Sequence, residues 1–137
     1  MKKIKVGTIV KGDKEKIWEL WNQPEHITKW AFASDTWECP YAENDLREGG
    51  KLLVRMSAKD KSSSFDVVGV YENVVPLEKI EYRMEDGREV SVHFEKDEEG
   101  IKVTEEFDME NENPEELQRA GWQSILDNFK KYSESRI

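Results

Sequence analysis

The first part of the chain changes from an alternating to a helical spacing of apolar residues near Asp13. Residues 4–10 are largely β-branched and alternate with polar residues, which predicts a strand. The Asp13 side chain can cap a helix that begins at Lys14. Pro24 suits the first turn of a second short helix, which ends near Trp30. The pattern therefore predicts one strand followed by two short helices.

The middle of the chain, from about Thr36 to Met109, lacks helical periodicity and consists of apolar runs separated by turn residues. Such runs are typical of antiparallel strands. Gly49-Gly50 is interpreted as a tight turn that needs a positive φ, and Asp86-Gly87 is a strong hairpin signal. The predicted strands cover 51–56, 65–75 and 79–84, then the stretch with Val90, Val92 and Phe94, and the stretch with Ile101, Val103, Phe107 and Met109.

The last part of the chain predicts a long helix from about Pro114 to about Ser133, with Asn113 as its cap and acidic residues in its first turn. At about 100° per residue, its apolar residues spread over about half of the circumference, which is wider than on most surface helices. Such a helix suits the hollow of a curved sheet. The sequence therefore predicts an α+β fold in which one antiparallel sheet wraps this helix. The residues of the stripe are Leu117, Gly121, Trp122, Ile125, Leu126, Phe129 and Tyr132, and those from Leu117 to Ile125 should face the sheet.

The bulk properties limit the classes of function. The 137 residues fit a single domain, 1–137. With 21 Lys and Arg against 30 Asp and Glu, the net charge of −9 repels phosphate backbones, which argues against a nucleic-acid partner. No apolar run approaches the roughly 18 residues of a membrane helix, and no signal peptide is recognisable, so we expect a cytoplasmic protein without a membrane span. The outer edge of the sheet leaves a homodimer open.

Side chains that could bind a metal ion are few and scattered. Cys39 is the only cysteine, and it forms no recognised metal spacing with His26 and His93, the only histidines. We therefore expect no metal ion, no cofactor and no internal disulfide. Cys39 has no activating histidine nearby in the sequence, which predicts an ordinary buried or edge thiol. A nucleophilic triad cannot be assembled from these residues.

Glu105 interrupts the apolar face of the last predicted strand. A carboxyl group in that position would be desolvated and its pKa raised, which makes it a candidate for binding or protonating a ligand. Two alternatives remain open. A β-bulge near Thr104 would return Glu105 to solvent, or Arg55 or Arg83 would pair with it.

Aromatic residues are numerous, with five tryptophans and five phenylalanines. Those on inward faces either fill the interior or line a cavity. Gly121 lies in the stripe of the last helix, where glycine costs about 1 kcal/mol relative to alanine. We interpret it as allowing close approach of helix and sheet, with room for a ligand as the alternative. The candidate ligand-binding residues are Trp30, Trp37, Met56, Phe65, Tyr82, Phe94, Glu105, Phe107, Trp122 and Leu126.

The order of strand, two short helices, further strands and a long C-terminal helix is that of the helix-grip fold. Within it stand Trp18, Trp21, Pro24-Glu25-His26-Ile27, Trp30, Asp45-Leu46-Arg47-Glu48-Gly49-Gly50, Gly69-Val70-Tyr71-Glu72 before Pro76, and Gly121-Trp122. These residues resemble the activator-of-heat-shock-ATPase-homologue (AHSA1-like) family. That family belongs to the START-like (SRPBCC) superfamily, with pollen-allergen proteins and polyketide cyclases. The resemblance covers about residues 4 to 133.

The resemblance implies a deep, mostly apolar cavity between the sheet and the last helix. It leaves the function open, because one fold serves lipid carriers, cyclases, hormone receptors and a chaperone activator. The first hypothesis is a carrier or sensor that binds a small hydrophobic molecule. One alternative is a polyketide-cyclase-like or aromatase-like enzyme that uses Glu105 or Tyr82 as acid or base. Another, regulation of a heat-shock ATPase, is implied only by the resemblance.

Overall fold

The structure, a computed structural model, describes residues 2–136. Within them the chain forms seven strands and three helices; the sequence predicts the three helices and six of the strands, in this order. Along the chain these elements are β1 (Lys3–Val10), α1 (Lys14–Asn22), α2 (Pro24–Trp30), β2 (Trp37–Asn44), β3 (Lys51–Ala58), β4 (Ser64–Val75), β5 (Lys79–Met84), β6 (Glu89–Asp97), β7 (Gly100–Asp108) and α3 (Glu115–Arg136).

The strands pair antiparallel in one curled sheet, in the order β1-β7-β6-β5-β4-β3-β2. With α3 across its hollow and two short helices after β1, this is the helix-grip fold, so the predicted fold class is confirmed. The pattern of apolar residues did not delimit β2. The reason is that Pro40 falls where the pairing of β2 with β3 shifts, between Glu38 and Tyr41.

The turn between β2 and β3 needs glycine for two different reasons. Gly49 has a φ of 82°, the left-handed conformation that the sequence predicts. A Cβ atom at Gly50 would lie 2.0 Å from the carbonyl oxygen of Asp45, so this position needs glycine for close approach. The Gly49 N–H donates to the Tyr71 carbonyl at 2.9 Å, and the Tyr71 N–H donates to the Gly50 carbonyl at 3.0 Å. The turn is thereby fixed to β4.

The start of α3 differs from the prediction by one residue. The Pro114 carbonyl oxygen accepts a hydrogen bond from the Gln118 N–H at 3.2 Å, so Pro114 rather than Asn113 is the cap residue. The Asn113 side chain instead donates to the Glu110 carboxylate at 2.6 Å. Asn113 therefore shapes the loop before the helix, and the predicted capping role is wrong.

The end of α3 lies beyond the predicted position near Ser133, at Arg136. No glycine or proline follows Ser133 to stop the helix. The Glu134 carboxylate also accepts a hydrogen bond from the Lys11 N–H at 3.0 Å and pairs with Lys130 at 3.1 Å. These bonds hold the last turn against the end of β1.

Along its length, α3 lies beside the edge strand β1. The Gln123 side chain donates to the Gly7 carbonyl at 3.1 Å and accepts from the Gly7 N–H at 3.4 Å. The Lys130 ammonium group donates to the Ile9 carbonyl. Side chains of α3 thus satisfy backbone groups that an edge strand leaves unpaired, and the helix closes one side of the hollow.

The C-terminal half of α3 packs into a solid aromatic core. Phe129 contacts Trp21 and Trp30, with ring centroids 4.8 and 4.9 Å apart. Phe94 of β6 contacts Trp18 and Trp21 at 5.2 and 5.9 Å, edge to face. Tryptophans of α1 and α2 therefore fill this end of the interior. Beside the N-terminal half of α3, side chains do not fill the interior in this way.

Candidate functional site

A pocket of about 470 Å³ lies between the sheet and the N-terminal half of α3. Its walls are mainly apolar, and a few hundred Å³ is the usual scale of a small-molecule site. The strands β3, β4 and β5 supply most of the sheet wall. Their apolar side chains on the pocket are Leu52, Val54, Met56, Phe65, Val67, Ile80 and Met84.

The helix wall of the pocket includes Gly121, Trp122 and Ile125. A Cβ atom at Gly121 would meet no atom within 4 Å beyond the helix's own neighbouring backbone. The interpretation that Gly121 allows close approach of helix and sheet is therefore wrong. The position faces open space, and the absent side chain makes the pocket wider.

The rim of the pocket carries large exposed apolar side chains. Phe65 at the start of β4 is 50% exposed, and Leu117 in the first turn of α3 is 59% exposed. Phe65 contacts Trp37 of β2, with ring centroids 5.8 Å apart. Leu117 was predicted to face the sheet. It lies at the rim instead, because the space beside it is pocket and not packed core.

Glu105 is a buried acidic residue on the pocket wall, with 6% of its surface exposed. It lies in the middle of β7, opposite Val6 of β1 and Val92 of β6. The pairing of β7 with both neighbours is continuous, so no β-bulge turns Glu105 toward solvent. The carboxyl group is therefore on the concave side of the sheet.

Among the described residues, Glu105 also has no charged partner. Arg55 pairs with Asp66 at 2.9 Å and Arg83 pairs with Glu72 at 3.2 Å, so both arginines considered as partners are engaged elsewhere. Within residues 2–136, no group donates a hydrogen bond to the Glu105 carboxyl, and burial raises its pKa to about 8. The carboxyl group is therefore mostly neutral at pH 7.

Tyr82 of β5 is a second polar group on the same wall. Its ring lies over Gly69 of β4, where an added Cβ atom would come within 2.6 Å of the ring. Gly69 is thus required for the position of this ring. Burial, followed by the charge of Glu105, raises the pKa of Tyr82 well above its usual value. Its hydroxyl group therefore stays protonated.

A set of three hydrogen-bonded residues, Tyr71, Asn44 and Asn22, joins three elements at the pocket wall. The Tyr71 hydroxyl donates to Asn44 Oδ1 at 2.6 Å, and Asn44 Nδ2 donates to the Asn22 carbonyl at 2.7 Å. Burial raises the pKa of Tyr71. Because these groups bond to one another, they hold β4, β2 and the end of α1 together.

The family model described as "Activator of Hsp90 ATPase homolog 1-like protein" matches residues 11–134. The chain belongs to this family. The match includes both short helices, the strands from β2 to β7 and nearly all of α3. The AHSA1-like resemblance is therefore confirmed, and every wall of the pocket falls within the matched region.

Solved structures show the same fold. An AHSA1-like protein from Aeromonas hydrophila is 38% identical, with 98% of this chain and 94% of that chain covered and a TM-score of 0.92. A protein from Cytophaga hutchinsonii is 45% identical, with 98% and 92% covered and a TM-score of 0.80. A protein from Chromobacterium violaceum, 20% identical, covers 98% and 99% with a TM-score of 0.86 and shows the fold alone. None of the curated proteins matches the chain.

In this AHSA1-like protein, seven of the ten candidate ligand-binding residues lie on the pocket and three lie in the packed interior. Phe94 belongs to the aromatic core, Phe107 is covered by the indole of Trp122, and Leu126 is fully buried. These three do not reach the pocket wall. The seven on the wall are Trp30, Trp37, Met56, Phe65, Tyr82, Glu105 and Trp122.

The sequence prediction omitted several wall residues of this AHSA1-like protein. Leu52 and Val54 alternate along β3, so the same pattern that identified Met56 would have found them. Asn22 and Asn44 had no such signal. They meet on the wall only because α1 and β2 end close together, and neither residue type nor spacing indicates that contact.

Other side chains that could bind a metal ion or react chemically lie outside the pocket. Within residues 2–136, no group of three or more His, Cys, Asp and Glu side chains is placed to hold a metal ion. His26 Nδ1 lies 2.7 Å from the Tyr132 hydroxyl, and Cys39 is buried on β2, where burial raises its pKa. Among the helices of the described residues, none is long and apolar enough to cross a membrane.

Proposed function

We propose that this protein binds a small hydrophobic molecule in the pocket between the sheet and α3, as a carrier or a sensor. The observation that carries the proposal is the open space in front of Gly121. Glycine inside a helix costs about 1 kcal/mol relative to alanine, and no close contact offsets that cost here. What the glycine provides is room in a mainly apolar pocket.

The rim supports the same proposal. Phe65 and Leu117 expose large apolar side chains beside the pocket, an unfavourable arrangement in water. A hydrophobic molecule that covers them removes apolar surface from water, which contributes on the order of 25 cal/mol per Å². The rim is therefore suited to admitting an apolar ligand.

Native mass spectrometry of freshly purified protein tests the proposal, because a bound molecule adds a mass that disappears on denaturation. Titration with the dye Nile red tests it independently. Gly121→Leu places a side chain in the open space and should weaken dye binding by about tenfold. Ala120→Leu, at the exposed neighbouring position, is the matched control and should bind like the wild type. Absence of a bound mass, together with equal dye affinity in both variants, would reject the proposal.

A second candidate is an enzyme of the cyclase or aromatase kind, and Glu105 is the observation that favours it. A general acid or base works best with a pKa near the working pH, and burial brings the pKa of Glu105 to about 8. Such an enzyme would accelerate exchange of the methyl hydrogens of 2-acetylnaphthalene for deuterium in D₂O, and Glu105→Gln would remove the acceleration. Exchange no faster than in buffer rejects the enzyme and leaves the binding proposal intact.

Regulation of a heat-shock ATPase is a third candidate and ranks below the other two. It rests on the family's description alone. The other two candidate functions are supported by specific residues of the pocket. Stimulation of ATP hydrolysis by a purified heat-shock ATPase, measured with and without this protein, would raise its rank.

A further inference from the structure

Two polar groups of the pocket wall, the Glu105 carboxyl and the Tyr82 hydroxyl, form no hydrogen bond within residues 2–136. The other hydroxyl and amide groups of the wall are bonded inside the protein, and the Arg88 guanidinium is bonded through Nε. For example, Arg88 Nε donates to Asp86 at 2.8 Å, and the Gln118 amide donates to a backbone carbonyl at 2.8 Å. The wall also has indole N–H groups that form no hydrogen bond within residues 2–136, those of Trp21, Trp37 and Trp122. Among the hydroxyl and carboxyl groups of the wall in the described residues, Glu105 and Tyr82 are thus the two whose hydrogen bonds are left for a ligand or water.

The two groups lie on the same side of the sheet, on either side of β6. Tyr82 of β5 is opposite Val90, and Glu105 of β7 is opposite Val92. Val90 and Val92 are two positions apart on β6, so all four side chains point to the concave face. Val90 and Val92 are themselves buried in the core and do not lie on the pocket wall. The two polar groups thus reach the pocket from β5 and from β7, and an acceptor atom held between them can bond to both.

Both groups are hydrogen-bond donors at neutral pH. Burial keeps the Glu105 carboxyl mostly protonated, since its pKa is about 8, and it raises the pKa of Tyr82 above its usual value. A carboxylic acid held neutral by an apolar site donates a hydrogen bond that an ionised carboxylate cannot. A ligand that suits the pocket is therefore mostly apolar and carries an oxygen atom that accepts hydrogen bonds.

We propose that the ligand of this pocket is a mostly apolar aromatic ketone whose carbonyl oxygen accepts hydrogen bonds from Glu105 and Tyr82. The inference rests on the proposed binding function and names its ligand class. A pure hydrocarbon would bury both groups without partners, which weakens binding. An ammonium group would require ionised Glu105 in an apolar site and would meet the guanidinium of Arg88 on the same wall.

Three molecules of similar shape test the ligand class: 2-acetylnaphthalene, 2-ethylnaphthalene and 1-(2-naphthyl)ethylamine. Their affinities are measured by displacement of Nile red from the wild type, Glu105→Leu, Glu105→Gln and Tyr82→Phe. The readout is the affinity of the ketone divided by that of the hydrocarbon, because this ratio cancels changes in pocket size. Loss of one donor in Glu105→Leu or Tyr82→Phe should lower the ratio about tenfold. Glu105→Gln keeps an N–H donor, so it should retain most of the wild-type affinity ratio.

A second measurement needs no variant. The carbonyl stretching band of 2-acetylnaphthalene bound to the wild type should lie at lower frequency than in hexane, because a hydrogen bond weakens the C=O bond. An unshifted band, or an affinity ratio equal in all four proteins, overturns the ketone inference and leaves the binding proposal standing. Tightest binding of the amine, abolished in Glu105→Gln, also overturns it, since Glu105 would then act as an anion. Failure of all three molecules and of Nile red to bind overturns both proposals.

Discussion

The indole of Trp122 stacks on the ring of Phe107, with the centroids 3.8 Å apart and the planes within 10° of parallel. Trp122 belongs to α3 and is half-buried on the pocket wall, whereas Phe107 belongs to β7 and is fully buried. The indole therefore separates the pocket from the packed interior. One of its faces contacts a core residue, and the rest of the side chain borders the open space.

Trp122→Ala should lower the free energy of unfolding by about 2–3 kcal/mol. This is below the usual 3–5 kcal/mol for a fully buried tryptophan, because part of the indole already faces the pocket. The same change joins the space above Phe107 to the pocket, so Nile red should bind with altered affinity. Urea unfolding, with Trp122→Phe as the control that keeps a stacked ring, measures the loss. A cost near zero, or an equal cost in Trp122→Phe, would contradict this role of the indole.

Alternation along the strands was sufficient to predict the side of the sheet on which a residue lies. Tyr82 was a candidate for the ligand site, and Glu105 interrupted an apolar face with a β-bulge toward solvent left open; both lie on the concave side. Alternation does not predict whether an inward-facing side chain reaches the pocket or is covered by a helix residue. Phe94 and Phe107 share that side, but Trp18 of α1 contacts the first and Trp122 of α3 covers the second. Which helix residue meets which strand residue depends on elements far apart in the sequence, and periodicity carries no information about that.

Gly121 shows the same limit on the helix. A glycine in an apolar stripe looks the same in the sequence whether it faces a neighbouring backbone or open space. The two cases differ only in the distance between α3 and the sheet, which Gln123 and Lys130 set through their hydrogen bonds to β1. The sequence thus identified a position where a side chain is absent, and only the structure showed that nothing fills it.

Gly121→Ala should raise the free energy of unfolding by up to about 1 kcal/mol. Alanine has the higher helix propensity, and its methyl group would meet no atom within 4 Å outside the local helix backbone. The matched control is Ala120→Gly, at the exposed adjacent position of α3, which should lower stability by a similar amount. Chemical denaturation of both variants gives the two values. Destabilisation by Gly121→Ala would mean that the added methyl group contacts the sheet.

Gly69→Ala should lower the free energy of unfolding by about 1–3 kcal/mol, the usual range for overpacking. Its new methyl group would lie 2.6 Å from the Tyr82 ring, which would have to move into the pocket. Tyr82→Leu removes the ring, so the double variant should lose less stability than the sum of the single changes. A double-mutant cycle by urea unfolding measures this coupling. Strict additivity would show that the ring does not depend on Gly69.

Glu105 makes the stability of the protein depend on pH. Its pKa is about 8 in the folded state, whereas an exposed glutamate has a pKa of about 4.3. Between these values the folded state keeps a proton that the unfolded state releases. The stabilisation is therefore complete below about pH 4 and is lost as the pH rises through 8, with a slope approaching about 1.4 kcal/mol per pH unit. Tyr82, on the same wall, does not change charge in this window because its pKa is raised well above its usual value.

Glu105→Gln isolates this contribution, because glutamine has nearly the same shape and no titratable proton. Unfolding free energies of both proteins are measured in urea at pH 5, 6, 7 and 8. The stability of the wild type relative to Glu105→Gln should fall steadily across this range. Carboxylates with lowered pKa values, such as Asp108 beside Lys3, act in the opposite direction, but they are common to both proteins and cancel in the difference. A difference that does not change with pH would show that Glu105 is solvated in the folded protein, and its role as a neutral hydrogen-bond donor would then be untenable.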